Sequence, residues 1–227
     1  MKKKALLFVL LFLPAIIYIY FALGVPKIKR APFFGPRKVQ VVKDSKGVEK
    51  NDTVYYSIPA FRCVTREGIS FDSKQTLDGR LYLAIFVQPD SLKEILPILA
   101  DDIRINRKNY SFARFVFFWP EDSLRPCPDL ATELGLGTDT AFSLIVPKAT
   151  FDSLRDQHYF IPDPSRKKDP WQSKSDAVLI DRVGRIRGYF NIRYAVELKK
   201  MKEDVRHVMF RDEAVQTLEQ SKVEQKK

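Results

Sequence analysis

The stretch that most constrains what this chain can fold into is Leu81–Leu99, LYLAIFVQPDSLKEILPIL. Its first part, Leu81–Val87, is a short apolar run without polar alternation, the pattern of a strand buried on both faces. Gln88-Pro89-Asp90 breaks that run. Ser91 and Glu94 then stand at capping-box spacing, where the hydroxyl accepts from the Glu94 amide and the carboxylate reaches back. Leu92, Ile95, Leu96 and Leu99 follow at helical spacing and lay one stripe on a sheet. Pro97 falls inside this helix and, lacking a backbone N–H, is expected to kink it. Open α/β sheets bind ligands at the carboxyl ends of central strands, so chemistry is expected at this strand-to-helix turn. The turn holds no Cys, no His and no glycine-rich loop.

Ahead of the domain, Met1–Lys4 is a basic cap and Ala5–Leu23 is a run of 19 uncharged residues. At ~1.5 Å per residue that run reaches about 28 Å, close to a bilayer core. Tyr18 and Tyr20 lie near its far end, where aromatic rings favour the interface. A cleaved signal peptide is the alternative, with Ala22-Leu23-Gly24 as its small-residue site, but signal cores usually run only ~7–15 residues. The expectation is a single-pass anchor through residues 5–23 in the cell (inner) membrane, with the C-terminal domain outside the cytoplasm. Val25–Lys50, with Pro26, Pro32 and Pro36, reads as a basic linker. Its basic residues either stay solvated or lie along anionic headgroups. The chain carries a formal charge of +11. Of this, Lys2–Lys4 and residues 27–50 supply all but +2, so the globular part is nearly neutral. A nucleic-acid binder would carry its charge on the domain, and no nucleic acid is expected as a partner.

The division expected is residues 1–24 as cap and anchor, 25–50 as linker, 51–211 as one domain and 212–227 as a polar, frayed tail. In the domain, Thr53–Ile58 alternates as a strand. Phe61–Val64 and Ile69–Phe71 flank Thr65-Arg66-Glu67-Gly68 as a hairpin with Gly at the positive-φ position. After the Ser91 helix, Asp101–Tyr110 is polar. Phe112–Trp119 and Ala141–Val146 read as further buried strands, with turns and a short helix from Pro128 between them. Thr150–Gln157 reads as a helix capped by Thr150 or Asp152, and Ile161–Lys174 as a polar, proline-bearing excursion. Ala177–Asp181 and Ile186–Phe190 form a second hairpin, with Asp181 accepting backbone amides. Ala195–Phe210 is amphipathic, with Leu198, Met201, Val205, Val208 and Met209 on one face. A buried strand leading to a helix, closed by an antiparallel hairpin and a terminal helix, fits an α/β domain of thioredoxin-like layering, a mixed sheet flanked by helices.

The segment AVLIDRVGRIRGYF, Ala177–Phe190, resembles the Sco (SenC) family of membrane-tethered copper chaperones for cytochrome oxidase assembly. Ile58-Pro59-Ala60-Phe61 with the Glu67-Gly68 turn resembles that family's opening hairpin, Leu81–Val87 its first core strand, and Phe115–Glu121 the strand before its second helix. Ala141–Leu154 resembles the step before its metal-ligand loop, and the N-terminal anchor also matches. The resemblance covers roughly residues 53–211 and implies a Sco-type thioredoxin-like fold. Sco proteins carry Cys-x-x-x-Cys after the first core strand and a distal His before the final hairpin, a soft ligand set that suits copper. Here Leu92 and Leu96 stand at the cysteine spacing, and Gln172 or Ser173 at the histidine position. Copper is therefore implied by resemblance only, and no metal or cofactor site is carried over.

Cys63 and Cys127 are the only cysteines. In an oxidising compartment they could pair, or remain inert thiols. Cys127, in Arg125-Pro126-Cys127-Pro128, is the candidate for a relocated reactive thiol, because a nearby Arg and a helix N-terminus would lower its pKa. His158 is the candidate imidazole beside it, and His207 sits on the terminal helix. No hydrolase triad, P-loop or paired-carboxylate constellation stands out, and the reading leans away from an enzyme. Three functions follow. The first is an accessory or binding factor in respiratory oxidase assembly or copper handling, partnered by an oxidase subunit or a ligand-bearing Sco paralogue. The second is a thiol-redox protein using Cys127. The third is a non-catalytic envelope interaction module.

Overall fold

The computed structural model describes residues 12–13, 32–43, 49–161 and 175–224. The membrane segment expected at residues 5–23 lies outside them, apart from Phe12 and Leu13, which are helical. No helix among the described residues is long and apolar enough to cross a membrane.

Residues 31–227 form one unit, built on a seven-stranded mixed sheet. Its elements are β3 (Arg62–Thr65), β4 (Ser70–Asp72), α1 (Ser73–Leu77), β5 (Leu81–Phe86), α2 (Leu92–Ile105), α3 (Arg107–Tyr110), β6 (Ala113–Pro120), α4 (Leu130–Glu133) and β7 (Ala141–Val146), followed by α5 (Lys148–Ser153), β8 (Ala177–Ile180), β9 (Ile186–Phe190) and α6 (Ala195–Glu224). A separate hairpin, β1 (Arg37–Lys43) and β2 (Glu49–Tyr55), precedes them. The strand order is β4-β3-β7-β6-β5-β8-β9. β5, β6 and β7 are parallel, whereas β8 runs antiparallel to β5 and β9 to β8.

The central strand shows why the apolar run needs no alternation. Leu81, Leu83, Ile85 and Val87 face one core with Ile95, Leu99 and Ile103 of α2 and Leu198, Met201, Val205 and Val208 of α6. Tyr82, Ala84 and Phe86 face a second core with Leu77 of α1 and Phe151 of α5. β6 repeats the division, with Phe115, Phe117 and Trp119 on the first side and Val116 and Phe118 on the second. The second core is aromatic: Phe86 stacks on Phe118 at 4.6 Å, and Tyr159 meets their edges at 5.1 and 5.7 Å. Such pairs add stability beyond the area they bury. The expected hairpins form at both ends of the sheet, with Gly68 at φ +80° in the first. In the second, the Asp181 carboxylate accepts from the amides of Val183 and Arg185.

Several expectations are corrected. The strand placed at Thr53–Ile58 is β2, shifted to Glu49–Tyr55. Part of the supposed linker, Arg37–Lys43, pairs with it as β1, antiparallel along its whole length. The packed unit also starts before residue 51: the Phe34 amide donates to the Ile186 carbonyl and its ring meets Tyr189 at 5.3 Å. Asp101–Tyr110 is helical, since α2 runs through Pro97 to Ile105 and α3 follows. Ser91 makes no capping bond. Its backbone is helical at φ −89°, ψ −7°, and its hydroxyl turns back onto the Gln88 carbonyl at 3.0 Å. α5 begins at Lys148 after Pro147, ahead of the expected caps Thr150 and Asp152, and continues as a π-helical turn over Leu154–His158. The tail expected to fray stays helical to Glu224.

Candidate functional site

The parallel strands β5, β6 and β7 end together, and the Gln88–Ser91 turn lies at that edge. It is fixed by backbone and by one distant side chain. The Val87 amide donates to the Phe118 carbonyl at 3.1 Å, and the Glu121 amide to the Val146 carbonyl at 2.8 Å. Arg125, from the loop after β6, donates to the Pro89 carbonyl at 3.0 Å and lies 3.8 Å from the Asp90 carboxylate. Between these segments is an open cleft of about 380 Å³, walled by Gln88–Asp90, Asp122–Arg125, Lys148 and Phe151. Leu124 on its rim is fully exposed. Charges of both signs and one exposed apolar side chain are features of a docking surface.

A second arginine ties the base of α2 to the sheet. Arg193, after β9, donates to Asp176 at 2.8 Å and to Glu94 of α2 at 3.4 Å. Glu94 thus serves Arg193 instead of a capping box. Asp176 is buried at the start of β8, and its backbone carbonyl accepts from Phe86 of β5. Burial raises its carboxyl from 3.8 to about 6, the Arg193 charge offsetting only part of that effect.

The candidate residues are not brought together. Leu92 and Leu96 are half-buried and pack against the first core, so these two positions serve packing. Gln172 and Ser173 lie outside the described residues. Cys63 packs against the second core and Cys127 against the first, with the sheet between them, and both thiols are free. Cys127 is half-buried rather than exposed. Burial pushes its thiol up to about 11, against the lowering expected, and the charge that opposes the rise is Arg66, not Arg125. Burial pushes Cys63 to about 11 as well. His158 ends the turn that packs over the second core, on the opposite face from Cys127. Among the described residues no group of three His, Cys, Asp or Glu side chains is arranged to hold a metal ion. Sequence reasoning missed the work of Arg125, which was assigned to Cys127, and of Arg193 with Asp176. The one signal for the latter was a carboxylate placed directly before the apolar run Ala177–Ile180.

No protein-family model and no curated protein matches the chain. Solved structures do. A candidate electron transfer protein from Aquifex aeolicus matches 67% of this chain and 92% of its own at 13% identity, with a TM-score of 0.50. The fold is thioredoxin-like. The core order β6-β5-β8-β9 agrees, with a parallel β-α-β unit joined to an antiparallel hairpin and a closing helix. A Sco/SenC-family lipoprotein from Bacillus anthracis is also similar, at 15% identity over 68% of this chain and 95% of that one (TM-score 0.47). So is a candidate protein disulfide isomerase from Bacteroides thetaiotaomicron, at 18% over 67% and 87% (TM-score 0.46). Sco/SenC proteins thus stand among the structural neighbours of this thioredoxin-like domain.

Proposed function

We propose that this chain is a Sco-like accessory factor in respiratory cytochrome oxidase assembly or copper handling. It is held at the cell membrane through residues 5–23 with its domain outside the cytoplasm, and it works as a binding surface. The observation that carries this reading is the Arg125 bond to the Pro89 carbonyl. At the sheet edge where thioredoxin-like folds place ligands, it holds a rigid, charged turn beside exposed Leu124. The resemblance of Ala177–Phe190 to the Sco family supplies the biological setting. The partner is an oxidase subunit or a ligand-bearing Sco paralogue. A redox role for Cys127 is disfavoured, because a thiol raised to about 11 is protonated near neutrality.

Two measurements on the full chain test this. Titration with Cu(I) and Cu(II) against competing chelators is expected to show no tight, one-to-one binding, and such binding would overturn the loss of the copper site and point to a relocated one, testable at Cys127 and His158. Cross-linking in native membranes is expected to capture an oxidase subunit or Sco paralogue with the wild type. Leu124→Asp combined with Arg125→Asp should lose that product while leaving the melting temperature nearly unchanged. Retention of the same product in the double variant would move the working surface elsewhere.

A further inference from the structure

The β1–β2 hairpin forms a two-stranded sheet of its own, apart from the seven-stranded one. A two-stranded hairpin is only marginally stable by itself in water. Every β1 side chain from Arg37 to Val41 is exposed, with Val39 at 69% and Val41 at 62%. Alternation along the strand puts Arg37, Val39 and Val41 on one face. Their cross-strand partners there are Tyr55, Thr53 and Asn51. These six positions hold two exposed β-branched apolar side chains, one cation and no acidic residue.

The base of the hairpin is fastened to one edge of the main sheet. Phe33 stacks on Tyr55 at 4.1 Å, and the guanidinium carbons of Arg185 and Arg187 lie 4.8 and 4.0 Å from the Phe33 ring centre. Arg37 donates to the Phe33 carbonyl at 3.0 Å, and the Tyr56 amide donates to the Pro36 carbonyl at 3.2 Å. With the Phe34 amide bonded to the Ile186 carbonyl, the hairpin starts from the β9 edge. β4 is the opposite edge, six strand spacings away, which is roughly 29 Å.

Tether length and charge identify what covers the valine face. Pro32 stands nine residues beyond Leu23, where the expected anchor ends, and nine fully extended residues reach at most about 32 Å. A tether of that length keeps the β9 side of the domain close to the bilayer surface that the anchor enters. Residues 24–43, from the end of the anchor through β1, hold six Lys or Arg and no Asp or Glu. A second copy docking on this face would set that stretch against itself, and like charges repel. An anionic bilayer complements it, because basic segments next to a membrane span are attracted by acidic headgroups. Valines beside cations suit such a surface, where apolar groups enter the boundary and the charged heads stay at the phosphates.

We propose that the Val39–Val41 face of the β1–β2 hairpin lies against the anionic headgroup surface of the bilayer, a reading that rests on the proposed anchor through residues 5–23. The test uses the full chain with Cys63→Ser and Cys127→Ser, in which Val41→Cys carries an environment-sensitive fluorophore. The protein is reconstituted in nanodiscs of phosphatidylcholine, alone or with one-third phosphatidylglycerol, that contain a headgroup-spin-labelled lipid as quencher. Quenching at position 41 is expected to be about threefold stronger in the anionic discs and to fall toward the neutral value in high salt. The same label on Ile69→Cys, exposed beside β4 at the far edge of the sheet, should be quenched weakly and equally in both. Lys38→Glu combined with Lys43→Glu should remove most of the difference at position 41. The proposal is overturned if position 41 is quenched no more than position 69 in the anionic discs, or if neither the anionic lipid nor the charge reversal alters its quenching. Flotation tests the anchor separately. A chain that floats with pure phosphatidylcholine vesicles while position 41 stays unquenched keeps the anchor and overturns the hairpin contact. One that floats only with anionic vesicles and is quenched at position 41 keeps the contact and overturns the anchor. A fluorescence shift in detergent that grows with protein concentration would assign the face to a second copy and likewise overturn the proposal. A thermal melt of each variant separates loss of the contact from loss of the fold.

Discussion

Replacing Asp176 with Asn should stabilise the domain progressively as pH rises, although it deletes one half of an ion pair. The Asp176 side chain is 11% exposed and lies 2.8 Å from Arg193. Despite that contact its carboxyl stands at about 6 instead of 3.8, and burial is the largest cause. The folded state therefore binds this proton more tightly than the unfolded chain does. Its contribution to stability is complete below about pH 4 and is lost as pH rises to about 6, after which the curve is flat. A gap of about two pH units corresponds to roughly 3 kcal/mol. Asn mimics the protonated acid and does not titrate. The difference in unfolding free energy between Asp176→Asn and wild type should thus move by about 3 kcal/mol in favour of the variant between about pH 4 and pH 8. Comparing the two chains at each pH cancels the other titrating groups. Urea unfolding at several pH values measures it, provided the slope against denaturant is the same for both. A flat difference, or one that moves toward the wild type as pH rises, would mean that Arg193 outweighs burial, and the argument for Asp176 would fail.

Three further outcomes are expected. Asp181→Ala should cost about 3–5 kcal/mol in urea unfolding, because it leaves Arg187, which is 1% exposed, without the carboxylate at 3.3 Å; a loss below about 1 kcal/mol would show that the pair is dispensable. Phe118→Ala removes a fully buried ring that stacks on Phe86 and should cost about 3–5 kcal/mol by the same assay. Iodoacetamide alkylation of Cys127, measured in a Cys63→Ser background, should accelerate with a midpoint near pH 11, whereas a midpoint below pH 8 would restore the case for a reactive thiol.

What the sequence made legible, and what it hid, follows from the range of the interactions. The buried strands Leu81–Phe86 and Ala141–Val146 and the Asp181 turn are local: hydrophobic runs, Gly68 and an Asx-type carboxylate each act within a few residues. The same holds for the buried stripe of α6. The β1–β2 hairpin was missed because Val39 and Val41 are exposed, so their alternation reports strand pairing without burial and is faint beside the surrounding charge. The capping box failed for a tertiary reason: Glu94 has Arg193, 99 positions away, as a competing partner. Arg125 reaches Pro89 across 36 positions, and no local pattern announces such a bond. The thiol of Cys127 was misjudged because its neighbours in sequence, Arg125 and Pro128, are not what governs it. Burial against the first core does.

These long-range bonds explain how the β5–α2 turn can be stiff without the devices that usually stiffen one. It has no side-chain cap. Arg125 fixes its outer end through a backbone carbonyl, a contact that no side-chain change in the turn itself can remove. Arg193 fixes its inner end through Glu94, and Arg193 is in turn fixed by buried Asp176 at the start of β8. Order at the turn is therefore coupled to the register of β8 on β5, where Asp176 also holds the Phe86 amide. A surface built this way has its shape set before any partner arrives, which lowers the ordering cost of association. The binding role proposed for this edge draws on that economy, with both arginines here committed as struts.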